Sequence, residues 1–477
     1  MITFLICLGL LIGSYFTYAK YLERQFGMDI TAKVPSETLR DGVDYLPLPA
    51  WKTFLIQLLN IAGLGPIFGA LLGAMYGPVA FVWITLGSIF VGALQDYASG
   101  MISLKEGGLS FPEIVGKYMG MTVRQVMRAF TLFLMILVGA VFMVGPAGIL
   151  EGLSGMSQSI WVWIILVYYI LATLLPIDKI IGRFYPIFGA ALFIMAFGIL
   201  GVLIFGPYEI PNLSAASFNN FSANPNGLPI VPTLFITIAC GAVSGFHATQ
   251  SPMMARCVTN ERQGRPVFFG AMISEGVIAL IWAAIGMAFW GGTQGLSDAL
   301  AEHGNNAAWA VDVITNTTLG KVGALLALLG VVAAPITSGD TAFRCARLIA
   351  ADFLHLEQKQ LRKRLYISVP IFLVGVAITF MPFDVIWKYF AWANQVLAAI
   401  CLWTVTVYLA VRQKRWMIAF LPSVFMTFVV SSYIFIAREG LQMPYATGMT
   451  IGAGITVAVV LLMVRYLRLV WKGRVAI

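Results

Sequence analysis

The chain has 477 residues, 60% of them hydrophobic and only 11% charged, with a formal net charge of +9. A soluble domain of this size cannot bury so much apolar surface behind so few charges, so the composition excludes a water-soluble enzyme and points to a bilayer. The positive balance is no nucleic-acid signal, because the basic residues sit in short gaps between apolar windows.

A spanning helix needs roughly 20 mostly apolar residues. Windows of that kind predict thirteen spans, in chain order 2–19, 53–76, 79–103, 129–150, 159–175, 184–206, 230–252, 267–290, 322–340, 365–381, 385–410, 416–436 and 446–464. The first lacks the positive n-region of a secretory signal. Its basic residues, Lys20 and Arg24, follow the window, which predicts a retained helix with its N-terminus outside. With that orientation, 27 of the 30 Lys and Arg residues fall in cytoplasmic gaps and the tail, the exceptions being Lys321, Lys388 and Arg438. The second and third windows are separated only by Gly77-Pro78, and the ninth runs into polar Thr337-Ser338-Gly339-Asp340, where fraying is expected. The outside gap 291–321 contains Trp309-Ala-Val-Asp-Val-Ile, read as a short interfacial helix. Cys7, Cys240, Cys257, Cys345 and Cys401 have no ligand spacing and read as small buried hydrophobes. No metal site, cofactor motif, HExxH, GxSxG or Walker A is present, so an enzyme is not expected.

Two windows are interrupted by small residues. The second contains Asn60-Ile-Ala-Gly63-Leu-Gly65-Pro66-Ile-Phe-Gly69, and the seventh contains Cys240-Gly241-Ala-Val-Ser244-Gly245-Phe-His247. Glycine weakens a helix and proline removes a donor. Freed backbone groups are tolerable in lipid only where they line a cavity or pack on protein. The interruptions lie five windows apart, an odd number, so the two spans cross in opposite directions. That predicts a five-plus-five inverted repeat with a substrate site at the breaks. The alternative is close helix packing of the small-xxx-small kind. On this reading residues 1–477 form one transmembrane domain: 1–50 the first helix and a cytoplasmic loop, 51–206 repeat one, 230–411 repeat two, and 412–477 two accessory helices.

The substrate-site candidates are Asn60, Gly63, Gly65, Gly241, Ser244, Gly245, His247, Asn394 and Gln395. Asn394 and Gln395 are read either as ligands or as bridges between helices. His247 is the only histidine inside a window; it reads either as a structural hydrogen-bonder or, from its place in the break, as a candidate for proton or anion handling. The ion-coupling candidates are Thr337, Ser338, Asp340, Thr341, Asp96 and Glu275. Asp340 has an equally good structural reading as an ion pair with Arg344 one turn on. Asp96 and Glu275 fall near cytoplasmic ends, where water can reach them. The hydroxyls at 337, 338 and 341 either join carbonyls around an ion or bond back to their own helix.

Several stretches resemble the carbon starvation (CstA) transporter family: Asp41-Gly-Val-Asp-Tyr-Leu-Pro47, Ile61-Ala-Gly-Leu-Gly-Pro66, Gly92-Ala-Leu-Gln-Asp96, Phe235 through His247, Thr337-Ser-Gly-Asp-Thr341 and Asn394-Gln-Val-Leu-Ala398. The chain departs from many members at Ile56-Gln57, where they carry a His-His pair, and it lacks their long C-terminal extension, as in a shorter branch. The resemblance implies an all-α polytopic protein of the amino acid–polyamine–cation superfamily, with a LeuT-like repeat core, in the bacterial plasma membrane. It also implies uptake of pyruvate or short peptides in starved cells; the expected mode is symport with H+ or Na+ as coupling ion, and no cofactor is expected. The expected function is an ion-coupled importer. A passive channel or a membrane-embedded nutrient sensor are the alternatives, and the expected partners are a small-molecule substrate and the lipid bilayer, with no nucleic acid.

Overall fold

The computed structural model describes residues 1–41, 45–174, 185–354, 356 and 361–472. Gly42-Val43-Asp44 of the first matched stretch, the edges of the fifth and sixth windows at 175 and 184, and residues 355 and 357–360 lie outside them. The described residues are helical with no strand. Among the described residues nine helices are long and apolar enough to cross a bilayer, and a bent pair, Ala50–Ile61 with Gly65–Ala74, makes a tenth. The fifth, seventh and tenth windows fall short on that measure. They lie on Gln158–Leu174, on an interrupted segment, and on Leu361–Thr379, which opens with Arg362, Lys363 and Arg364. Helix length therefore accounts for nine or ten of the thirteen expected spans among the described residues.

The windows of the third, fourth, eighth and eleventh spans are 83–89% buried inside the protein, whereas those of the first and thirteenth are 28% and 22% buried. The former make a central bundle and the latter face outward with apolar side chains such as Leu5, Leu461 and Leu462. The fourth span belongs to a 34-residue helix, Met121–Ser154, which packs on the fifth, ninth, tenth and eleventh.

Loop contacts sort into two faces. On one, the Met1 amino group donates to the Ile210 carbonyl (2.7 Å), Asn220 Nδ2 donates to Tyr445 Oη (2.9 Å) and Asn226 Nδ2 donates to Ser297 Oγ (3.1 Å). On the other, Lys105 pairs with Glu261 at 3.0 Å, Arg256 Nε donates to the Gly108 carbonyl (2.8 Å), and Arg412 pairs with Glu106 at 3.6 Å. These are the same two sets of gaps that the charge alternation puts on opposite sides.

Both interruptions are present and differ in extent. Pro66 has no N–H and crowds the carbonyl of Ala62, so the second span bends by 54° across residues 62–64. The seventh span stops at Thr237 and resumes at His247, leaving residues 238–246 unwound. Gly241 there has φ +90°, a conformation that residues with a Cβ rarely adopt.

The ninth span departs from expectation. It does not fray at 337–341; the helix Ala334–Phe353 runs straight through, and Thr337, Ser338 and Thr341 bond back to carbonyls of their own helix. A kink at Gly320 (φ +59°) separates it from the preceding stretch, which begins at Ala307 where Asn306 Oδ1 accepts from the Ala308 and Trp309 amides. That stretch is the short helix expected around Trp309.

Candidate functional site

The unwound 238–246 stretch exposes backbone groups that lipid cannot satisfy. Neighbouring spans supply the partners. From the third span, Trp83 Nε1 donates to the Ile238 carbonyl (3.2 Å), Ser88 Oγ to that of Gly241 (2.9 Å) and Gln95 Nε2 to that of Ser244 (2.5 Å). From the eleventh, Gln395 Nε2 donates to the Val243 carbonyl (3.2 Å) and to that of Phe235 (3.1 Å). Asn394 Oδ1 accepts from the Phe246 amide (2.7 Å) and Ser244 Oγ (3.1 Å), and its backbone carbonyl accepts from Gly245 (3.1 Å). Each such group left unpaired would cost about 1–3 kcal/mol. Asn394, Gln395 and Ser244 thus hold the break open, acting as bridges.

The two breaks meet. A Cβ on Gly65 would stand 2.0 Å from the Cys240 Cβ, and one on Gly241 would stand 3.3 Å from the Pro66 Cα. Gly69 and Gly73, each one turn further along, face Thr237 and Ile238 in the same way. The small-xxx-small packing therefore holds for Gly65, Gly69 and Gly73, and it is the packing by which the two broken spans cross. Gly245 lies as tightly on Leu397 and the Asn394 carbonyl. Asn60 is buried at the end of Ala50–Ile61, and Gln57 Nε2 donates to Ser251 Oγ (3.1 Å), tying the second span to the seventh again.

Beside the crossing lies a cluster of three ionisable groups. His247, first residue of the resumed helix, has Nδ1 2.9 Å from Asp96 Oδ2 and Nε2 3.5 Å from Glu275 Oε2. All three side chains are 0% exposed. Asp96 and Glu275 were expected near wet cytoplasmic ends. They are instead fully buried, with the resumed half-helix packed along the third span. Asp96 Oδ1, both Glu275 oxygens and His247 Nε2 have no hydrogen-bond partner among the described residues. Buried polar atoms are normally satisfied, so several without partners in one place mark a candidate functional site.

The remaining ion candidates are not part of this cluster. Asp340 pairs with Arg344 at 3.6 Å on the same helix. The Phe142 side chain stands between Gly63 and the 337–341 stretch: its ring tip is 2.8 Å from a Cβ built on Gly63, and its Cβ is 3.1 Å from one built on Gly339. Residue spacing missed Gln95, Ser88 and Trp83, whose roles depend on which backbone they face. It also missed Cys240, which sits at the crossing and accepts from Asn394 Nδ2 (3.3 Å). Only its place in the glycine-rich break distinguished it from the other cysteines.

The model of the family described as Carbon starvation protein CstA matches residues 1–155 and 144–318. An uncharacterized membrane protein of Haemophilus influenzae is 42% identical over 351 residues, which cover 63% of this chain and 94% of that protein. The peptide transporter CstA of Mycobacterium tuberculosis is 28% identical over 53% of this chain and 42% of its own length, and that of Bacillus subtilis 26% identical over 52% of each. The chain thus spans about half the length of those named transporters. Among solved structures, a variant of the Eremococcus coleocola manganese transporter superposes with a TM-score of 0.57 at 16% identity, over 92% of this chain and 98% of that one. That likeness concerns the fold alone. The family match reaches across both broken spans and the Asp96–His247–Glu275 cluster, and the chain belongs to the carbon starvation protein CstA family.

Proposed function

We propose that this protein, a membrane transporter by family, is a proton-coupled importer of short peptides or a small carboxylate such as pyruvate. The observation that carries the reading is the buried Asp96–His247–Glu275 cluster beside the crossing of two broken spans. The three groups reach zero net charge with two shared protons, and losing one leaves a net charge of −1 inside a low-dielectric bundle. Such a charge change is costly unless the cluster opens to water or a solute neutralises it. That gives protonation a means of biasing which side is open. The peptide transporters named among its relatives favour a peptide substrate.

Sodium is less well supported, because Thr337, Ser338 and Thr341 bond to their own helix and Phe142 stands between them and Gly63. A channel is also less well supported, since side chains close the crossing at Cys240, Pro66 and Leu397. The five-plus-five repeat, the N-terminus outside and the basic face in the cytoplasm belong to the same proposal.

The test is uptake of labelled dipeptides, amino acids and pyruvate into proteoliposomes under imposed proton or sodium gradients. Saturable uptake driven by a proton gradient is expected. His247→Gln should insert and exchange substrate yet fail to concentrate it, with no pH dependence of its own. Unsaturable flux would sink the carrier, and a sodium requirement with unaltered pH dependence in His247→Gln would sink the proton site.

A further inference from the structure

The ninth and tenth spans carry a second polar cluster, away from the crossing. Phe343 of the ninth packs on Phe372 of the tenth, ring centroids 4.9 Å apart, and lies against Gly375. One turn closer to the basic face, the same seam carries Arg347, four residues after Phe343, and Ser368, four before Phe372; Arg364 follows a turn beyond. Arg347 is 7% exposed and Ser368 3%. Among the described residues, Arg347 Nε and Nη1 and Ser368 Oγ have no hydrogen-bond partner, and Arg347 forms no ion pair. About two turns back along the helix from Arg347, the Asp340 carboxylate lies 3.6 Å from Arg344.

A largely buried guanidinium with no hydrogen-bonded anion, its nearest carboxylate being Asp340 beside Arg344, is expensive, and more so between membrane helices. The surroundings indicate what offsets that cost. The 341–364 gap holds six Lys and Arg residues, more than any other. Around the seam, Leu348, Tyr366, Val369 and Leu373 are 44–75% exposed and apolar or aromatic, so the outer surface faces acyl chains. We infer that this seam binds the phosphate of an anionic phospholipid in the leaflet of the basic face. Arg347 and Ser368 donate to phosphate oxygens, Arg364 adds positive charge, and the acyl chains lie along Leu348, Val369 and Leu373. A free phosphate would meet the same donors but would make no use of the apolar flank.

The experiment measures thermal unfolding of the full-length protein in neutral detergent, with added phosphatidylglycerol, phosphatidylcholine or millimolar inorganic phosphate, and counts retained lipid by native mass spectrometry. Phosphatidylglycerol is expected to raise the melting temperature and to remain bound, and the other two to do neither. Arg347→Met should lose about tenfold in apparent affinity for phosphatidylglycerol. It should melt no lower than wild type without lipid, because it removes an unpaired buried charge. Equal stabilisation by both lipids, or an undiminished phosphatidylglycerol effect in Arg347→Met, overturns the site. Equal stabilisation by inorganic phosphate overturns the lipid in favour of a free anion. A lipid-free Arg347→Met that melts far below wild type overturns the premise that Arg347 lacks an internal partner.

Discussion

Gly65→Ala adds one methyl group where the two broken spans cross. The new carbon would stand 2.0 Å from the Cys240 Cβ, 2.6 Å from its Sγ and 3.4 Å from its Cα. Carbon atoms in contact prefer about 3.5–4.0 Å. A β-carbon cannot swing aside like the end of a long side chain, so the two breaks must separate. Overpacking of this kind costs about 1–3 kcal/mol, occasionally more. Cys240→Ala removes only the sulfur and leaves the 2.0 Å clash, whereas Cys240→Gly removes both close atoms and leaves a Cα at ordinary contact distance. Cys240→Gly has a cost of its own, since it discards the bond from Asn394 Nδ2 and frees the backbone. A double-mutant cycle cancels that cost. Gly65→Ala with Cys240→Gly should show a favourable coupling of about 1–3 kcal/mol, and Gly65→Ala with Cys240→Ala little. The assay is reversible thermal or denaturant unfolding of the purified protein, with proteoliposome uptake alongside. Unchanged stability in Gly65→Ala, or equal rescue by alanine and glycine at 240, would refute the crossing of the breaks.

Single cysteines at Ser222 and Asn305 should react with an impermeant reagent from outside the cell, and one at Lys363 should react only after permeabilisation; the reverse pattern would overturn the orientation. Asp340→Asn alone should destabilise the protein, while Asp340→Asn with Arg344→Gln should restore stability and keep gradient-driven uptake, because the 3.6 Å pair lies within one helix; a stable double variant that exchanges but cannot concentrate substrate would give Asp340 a coupling role. At the basic face, burial raises the Glu106 carboxyl, but hydrogen bonds from Lys117 and Tyr118 and the charges of Lys117 and Arg412 outweigh it and hold the carboxyl below the ordinary glutamate range. A folded pKa that is lowered contributes stability above the unfolded value and loses it as pH falls through the folded one. Glu106→Gln should therefore be less stable than wild type by about 0.2–1 kcal/mol at neutral pH, with the gap closing in acid; a gap independent of pH would contradict this.

The glycine and proline of the second and seventh spans made both interruptions legible, because a missing donor and a missing Cβ act locally. His247 stood out for the same kind of reason, as the only histidine in an apolar window. The roles of Asp96 and Glu275 were not legible. Distance along a window suggested wet ends, and only the half-helix resuming at His247 shows that both carboxylates are sealed against one imidazole. Nor could spacing tell that Asn394 and Gln395 serve the unwound backbone, since the partners are about 150 residues away in the chain.

Composition and charge placement by themselves determined that the chain lives in a bilayer and which gaps share a side. These follow from the transfer of apolar segments into lipid and from the positive-inside bias, both of which act segment by segment. Tertiary structure alone decided how the breaks meet and what surrounds them. It set Gly65 against Cys240, put Phe142 between Gly63 and the 337–341 hydroxyls, and gathered three ionisable groups from three spans into one buried cluster. Those outcomes depend on how helices remote in sequence rotate and cross. Many helical faces in this chain are apolar or small-residue enough to pack, so the choice among them is made only when all the spans are assembled together.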